Sequence, residues 1–207
     1  MKILIPTSLS ILMEKNVHDR ILVVDLEATC ANDGSISAED METIEIGACW
    51  IASDGSVLDR FQSFVCPIFN PRLTEFCTAL TGISQDQVDT APRFPEAAAL
   101  LHRFVLQYGT PTSNWASWGA YDNKQIVRDS LRHGITAPIA LPHVNAKKLF
   151  AKAQRIGKEV GMAKACELTR LGIQGAHHRA LDDALNVARL LPWVFGEKSI
   201  AQQKHCG

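Results

Sequence analysis

"ILVVDLEATC", residues 21–30, sets four consecutive apolar side chains in front of two acids that stand two positions apart. The apolar run predicts a buried β-strand. Side chains i and i+2 of a strand share a face, so Asp25 and Glu27 emerge side by side near its C-terminal end. Carboxylates held that close repel one another. The repulsion has two common remedies: one group keeps a proton, or a cation sits between them. The second remedy makes this strand end half of a metal site.

The neighbouring segments show what kind of sheet the strand joins. "TIEIGACWIA" (43–52) is apolar and β-branched, "SDGS" supplies a turn, and "VLDRFQSFVCP" (57–67) alternates, which predicts a hairpin. Pro95 opens and Gly109 closes a segment in which Leu101, Phe104, Val105 and Tyr108 recur at helical spacing. "SNWASW" (113–118) reads as a further strand feeding a helix over 121–134, and it places Trp115 and Trp118 on opposite faces. Helices are predicted over 145–156, with Asn145 as cap, over 160–171, and over 179–195. Strands first, then strands alternating with helices, predict an α/β fold with a mixed sheet and helices packed on it. Ligands of open α/β sheets bind outside the carboxyl ends of the strands, where Asp25 and Glu27 fall.

Composition bounds the function. A chain of 207 residues with 46% hydrophobic side chains buries one sizeable core, and no repeat or charge block marks a second domain. The net charge of −1 provides no overall cationic field, which argues against non-specific duplex binding. The six cysteines show no C-x-x-C pair and no zinc-ligand spacing with the histidines, so they read as reduced core thiols and a cytoplasmic location. "ILIPTSLSILM" (3–13) is interrupted by Pro6, lacks a cleavage site and is too short to span a bilayer; residues 1–12 are expected to be dispensable.

The last predicted helix carries adjacent acids that its geometry separates. Asp183 falls on the apolar stripe with Val187, Leu190 and Val194, whereas Asp182 lies with Asn186 and Arg189 and reads as a solvated surface charge. An inward carboxylate needs a cation, either a metal ion or an arginine, and the pattern leaves both open. His177 and His178 stand at the entrance to the helix, and spacing does not choose between them. Asp122 suits a helix N-terminus through its charge alone.

Together, "DLE" (Asp25, Glu27), "WGAYD" (Asp122) and "HRALDD" (His178 to Asp183) resemble the ordered motifs of the DEDDh superfamily of 3′–5′ exonucleases. "VVDLEATC", "IEIGA", "LTEFCTALTGISQDQVDTAPRFPEA" and "GAHHRALDDALNVARLL" are similar to blocks of its ERI-type branch, and the resemblance covers about residues 19–195. It selects His178 over His177 and Asp183 over Asp182.

The resemblance implies a ribonuclease-H-like mixed five-stranded sheet with helices on both faces, formed by residues 19–196 between extensions 1–18 and 197–207. It implies two divalent cations, Mg²⁺ or Mn²⁺, held by Asp25, Glu27, Asp122 and Asp183, with His178 as general base toward the attacking water. Ala28 and Thr29 would approach the terminal nucleotide, and Leu80 and Ile83 would pack near its base. The expected activity is release of nucleoside 5′-monophosphates from single-stranded or overhanging 3′ ends, RNA preferred over DNA, with no membrane and no inferable protein partner. A 3′–5′ exodeoxyribonuclease, or a non-catalytic nucleic-acid-binding module of the same fold, is the alternative.

Overall fold

The computed structural model describes residues 20–200. The expectations for residues 1–12, and for most of both terminal extensions, lie outside the described residues. At the centre is β1 (Arg20–Ala28) in a five-stranded sheet. Its neighbours are β2 (Thr43–Ala52), antiparallel, and β4 (Asn114–Ser117), parallel; β3 (Val57–Phe64) and β5 (His143–Asn145) form the edges in the order β3-β2-β1-β4-β5.

The unalternating apolar run of β1 has a direct cause: both faces of the sheet are covered. Leu22 and Val24 face one layer, packed with Trp115, Ala97 and Leu101 beneath α3 (Phe94–Tyr108) and α4 (Tyr121–Arg132). Ile21 and Val23 face the other, packed with Phe150 of α5 (Ala146–Ala153), Ala165 of α6 (Met162–Leu168) and Val187 and Leu190 of α7 (Ala180–Val194). Trp115 and Trp118 part to these two layers, as strand alternation requires. Edge strand β3 is largely exposed, which is why only it alternates cleanly.

A third small core of Ile44, Cys77, Ile83 and Val88 anchors α1 (Glu75–Thr81) and α2 (Gln85–Asp89). These helices and β5 were not among the predicted elements, because seven, five and three residues are too few for a period to show. Their start signals were nonetheless present: Thr74 caps α1, and Ser84 with Gln87 forms a capping box for α2. The Asn145 side chain accepts from the Lys148 N–H at 2.9 Å, as its capping role predicts. The helix ends at Ala153, and Arg155 turns the chain at φ 53°.

The parallel strands β1, β4 and β5 all end at one edge of the sheet. That edge carries Asp25, Glu27 and the turn leading to Asp122.

Candidate active site

The site is assembled where α7 crosses the sheet. Gly47 of β2, paired with Asp25 of β1, allows the crossing: a Cβ there would lie 2.1 Å from the backbone carbon of Ala180 and the nitrogen of Leu181. No side chain fits, so the helix backbone rests on the strand. The helix start is fixed by Glu45, fully buried, whose carboxylate accepts from the Ala180 N–H at 3.0 Å and from the Arg179 guanidinium at 2.9 and 3.1 Å. An acid at a helix N-terminus is stabilised by the unpaired N–H groups there.

Asp183, one turn in, is only 5% exposed. Its carboxylate converges with those of Asp25 and Glu27, and one oxygen from each of the three lies within 4.8 Å of the others. Burial, then the charges of Asp122, Glu27 and Asp183, hold the Asp25 carboxyl well above the usual carboxylate range. Burial and then Asp183 push Glu27 up to about 8, against the lowering effect of Arg179. Burial also raises Asp183. Three carboxyls that resist ionising together are the electrostatic signature of a place for a cation.

Asp122 opens α4, where its charge suits the helix N-terminus, and its Oδ1 accepts from the Leu26 N–H at 3.1 Å. Burial raises it to about 6, while its hydrogen bonds, including one from Ser117, oppose the shift. It adds to the field on Asp25 without joining the three-carboxylate cluster.

The histidines sit at the rim. His177 Nδ1 lies 2.9 Å from Asp183 Oδ2, and the backbone N–H of His178 donates to the same oxygen at 3.1 Å. The rings stack with centroids 4.0 Å apart. His178 is held at φ 65°, a conformation costing roughly 1–3 kcal/mol for a non-glycine residue. That turn aims its N–H at Asp183 and leaves the ring contact to His177. Burial, then the neighbouring His177, lowers the pKa of His178, so its imidazole is neutral near pH 7.

The stripe of Asp182, Asn186 and Arg189 does not merely face solvent. Asp182 accepts from the Ala176 N–H at 2.8 Å, Asn186 brackets the backbone of Gln174 at 2.8 and 3.0 Å, and Arg189 donates to the Gly172 carbonyl at 2.8 Å. A Cβ on Gly175, at φ 74°, would meet the Asp182 carboxylate at 2.3 Å. Asp182 is half-exposed, in keeping with a surface charge, and the stripe in addition fastens the loop that carries both histidines.

Comparison with known proteins places this geometry. The family model described as Exonuclease (RNase_T) matches residues 22–191, a span containing every residue of the acidic site. The 3'-5' exonuclease eri1 of Schizosaccharomyces pombe is 28% identical, over 86% of this chain and 68% of its own length. The human 3'-5' exoribonuclease 1 is 28% identical over 92% of this chain and 57% of its own length, so the chain spans little more than half of that relative. The nuclease domain of 3'hExo, a DEDDh family member bound to rAMP, superposes with a TM-score of 0.75 at 25% identity, covering 92% of this chain and 95% of that one. The chain belongs to the exonuclease family, in its ERI-type DEDDh branch. Its fold is the ribonuclease-H-like one of these neighbours.

DEDDh exonucleases use divalent metals, and the all-oxygen donors of Asp25, Glu27 and Asp183 fit such an ion. Of the four residues expected to meet the nucleotide, one lies at the surface: Leu80, 38% accessible. Ile83 is 0% exposed, sealed in a cluster with Ile44, Cys77 and Val88, so it presents no surface that could face a base as expected. Ala28 and Thr29 are buried too, and Thr29 exchanges hydrogen bonds with the Glu42 backbone at 2.8 and 3.0 Å.

Glu45 and Gly47 were missed as residues that build the site. A lone acid within the apolar run "TIEIGACWIA" was the signal available for Glu45; a glycine mid-strand, marking close backbone approach, was the signal for Gly47. Arg179 is engaged by Glu45.

Proposed function

We propose that this exonuclease removes nucleotides one at a time from the 3′ end of single-stranded or overhanging RNA, using Mg²⁺ or Mn²⁺ and releasing nucleoside 5′-monophosphates. The observation that carries the reading is the convergence of the Asp25, Glu27 and Asp183 carboxylates at the strand ends, with Asp122 beside Asp25. RNA as substrate draws support from the relatives named exoribonucleases.

In this reading Asp25, Glu27 and Asp183 would hold one cation, and Asp25 with Asp122 would hold a second. The ions, when bound, stabilise the charge that builds on the attacking and departing oxygens of the phosphodiester. His178 accepts the proton of the attacking water, for which a neutral imidazole is suited. His177 steadies Asp183 through its Nδ1. Leu80, exposed on α1, packs against the terminal base. The family match over 22–191 supports a catalytic domain at residues 19–196. Five free thiols among the described residues fit a reducing, cytoplasmic setting, and none of the described helices is long and apolar enough to cross a membrane.

The test supplies 5′-labelled RNA and DNA of matched sequence, blunt and overhanging, with each metal or with chelator. A ladder shortening from the 3′ end of RNA, abolished by chelator, is expected. Shortening of DNA alone would make the enzyme an exodeoxyribonuclease. Binding with no mononucleotide released under either metal would make it a non-catalytic module and overturn the proposal.

A further inference from the structure

The charge of this chain is nearly balanced, 21 lysines and arginines against 22 acids, yet its distribution is not even. Lys147, Lys148, Lys152, Arg155 and Lys158 lie within twelve residues that contain no acid. Lys148 and Lys152, at i and i+4, share one face of α5, and Arg155 follows in its exit turn. With Lys158 they line a shallow hollow of ≈ 570 Å³, whose acid is Glu159. Among the described residues no ion pair joins any of the five to a carboxylate.

This arrangement works against the isolated fold. Like charges at i, i+4 destabilise a helix, and two lysines occupy a first turn that has no acid to suit its positive end. Among the described residues no ion pair offsets these terms. The patch also has a definite relation to the reaction centre. Helix α5 starts directly after β5, at the edge of the sheet that carries Asp25 and Glu27. The Lys147 Cδ lies 3.9 Å from the Cβ position of Gly119, three residues before Asp122. From there the basic stripe leads away from the site for the length of the helix, about 12 Å at 1.5 Å per residue.

We propose that this face receives the phosphate backbone of the substrate strand on the 5′ side of the cleaved end, so that α5 and the turn after it are the track along which RNA feeds the site. The inference rests on the nuclease reading for its orientation. Recognition is by charge, through phosphates, and is indifferent to base sequence. It also supplies locally the positive field that the whole chain lacks.

The triple reversal Lys152→Glu/Arg155→Glu/Lys158→Glu tests it, since all three side chains are exposed and hold nothing in the fold. Binding of a fluorescein-labelled 20-nucleotide RNA is followed by anisotropy in chelator across a potassium chloride series. The variant is expected to bind at least about tenfold more weakly near 0.1 M salt, and the slope of log Kd against log salt is expected to shrink by about 2, at roughly 0.7 per lost contact. With metal, the ratio of kcat/KM on the 20-mer to that on a dinucleotide should fall by a similar factor. An unchanged affinity and slope would overturn the inference, as would a loss confined to one base sequence. If the wild-type chain bound RNA through this patch but released no nucleotide, the nuclease reading would fail and the patch would stand.

Discussion

Gly47→Ala tests how the site is assembled, since the residue carries no side chain and no charge. The added methyl carbon would sit 2.1 Å from two backbone atoms of α7 and 2.4 Å from the Ala180 carbonyl oxygen, where ordinary contact begins at 3.4 Å. Backbone cannot rotate away as a side chain can, so the start of the helix must retreat by about 1 Å. Overpacking of this kind costs about 1–3 kcal/mol, which lowers the melting temperature of a domain this size by roughly 2–12 °C. Asp183 lies three residues beyond the contact and moves with the helix, away from Asp25 and Glu27. A displacement near 1 Å in a catalytic constellation lowers turnover by about 100-fold, or ~2.7 kcal/mol of barrier. The assay pairs thermal melting with release of 5′-monophosphate from labelled RNA at a temperature where the variant is fully folded. A folded variant with wild-type turnover would refute the account of how α7 is seated.

The fastening of the histidine loop predicts that Asp182→Ala lowers kcat by about tenfold, from the loss of one charged hydrogen bond, whereas Asp182→Asn, which keeps an acceptor for the Ala176 N–H, stays near wild type; steady-state kinetics on both variants decide it. His178→Ala should retain manganese binding by calorimetry while losing 10²–10⁴ in rate, and His177→Ala should lose less, because it removes a support of Asp183 rather than the base. A pH series of melting temperatures in chelator tests the electrostatics. Glu27, at about 8 in the fold and near 4.5 when unfolded, leaves the native state holding more protons, so stability falls as pH rises from about 4.5 to 8. Added Mn²⁺ should raise the melting temperature most at the alkaline end of that window; a gain independent of pH would contradict it.

Much of this was legible in the linear chain, for identifiable reasons. The strand of Asp25 and Glu27 announces itself because burial on both faces demands an unbroken apolar run, and a two-residue period fixes where the acids point. The inward face of Asp183 follows from helical phase alone. What stayed hidden depended on partners remote in sequence. Asp182 looks solvated by phase, yet six residues upstream the chain doubles back so that Ala176 meets it. The resemblance sets Ile83 near the terminal base, but the short helices around it place its side chain in a core. The resemblance, not the spacing, favours His178 over His177, and the left-handed backbone at His178 is a further feature that spacing does not encode. Glu45 was unremarked because its partners, Arg179 and the start of α7, lie more than 130 residues away.

The central claim is that the oxygens of Asp25, Glu27 and Asp183 hold a divalent cation. Crystals of the protein soaked in manganese, with anomalous diffraction recorded at the manganese edge, test it most directly. A strong peak within about 2.3 Å of oxygens from all three residues, lost in Asp25→Asn, is the predicted result. No peak among them at saturating manganese, or a peak that survives Asp25→Asn unchanged, would contradict it.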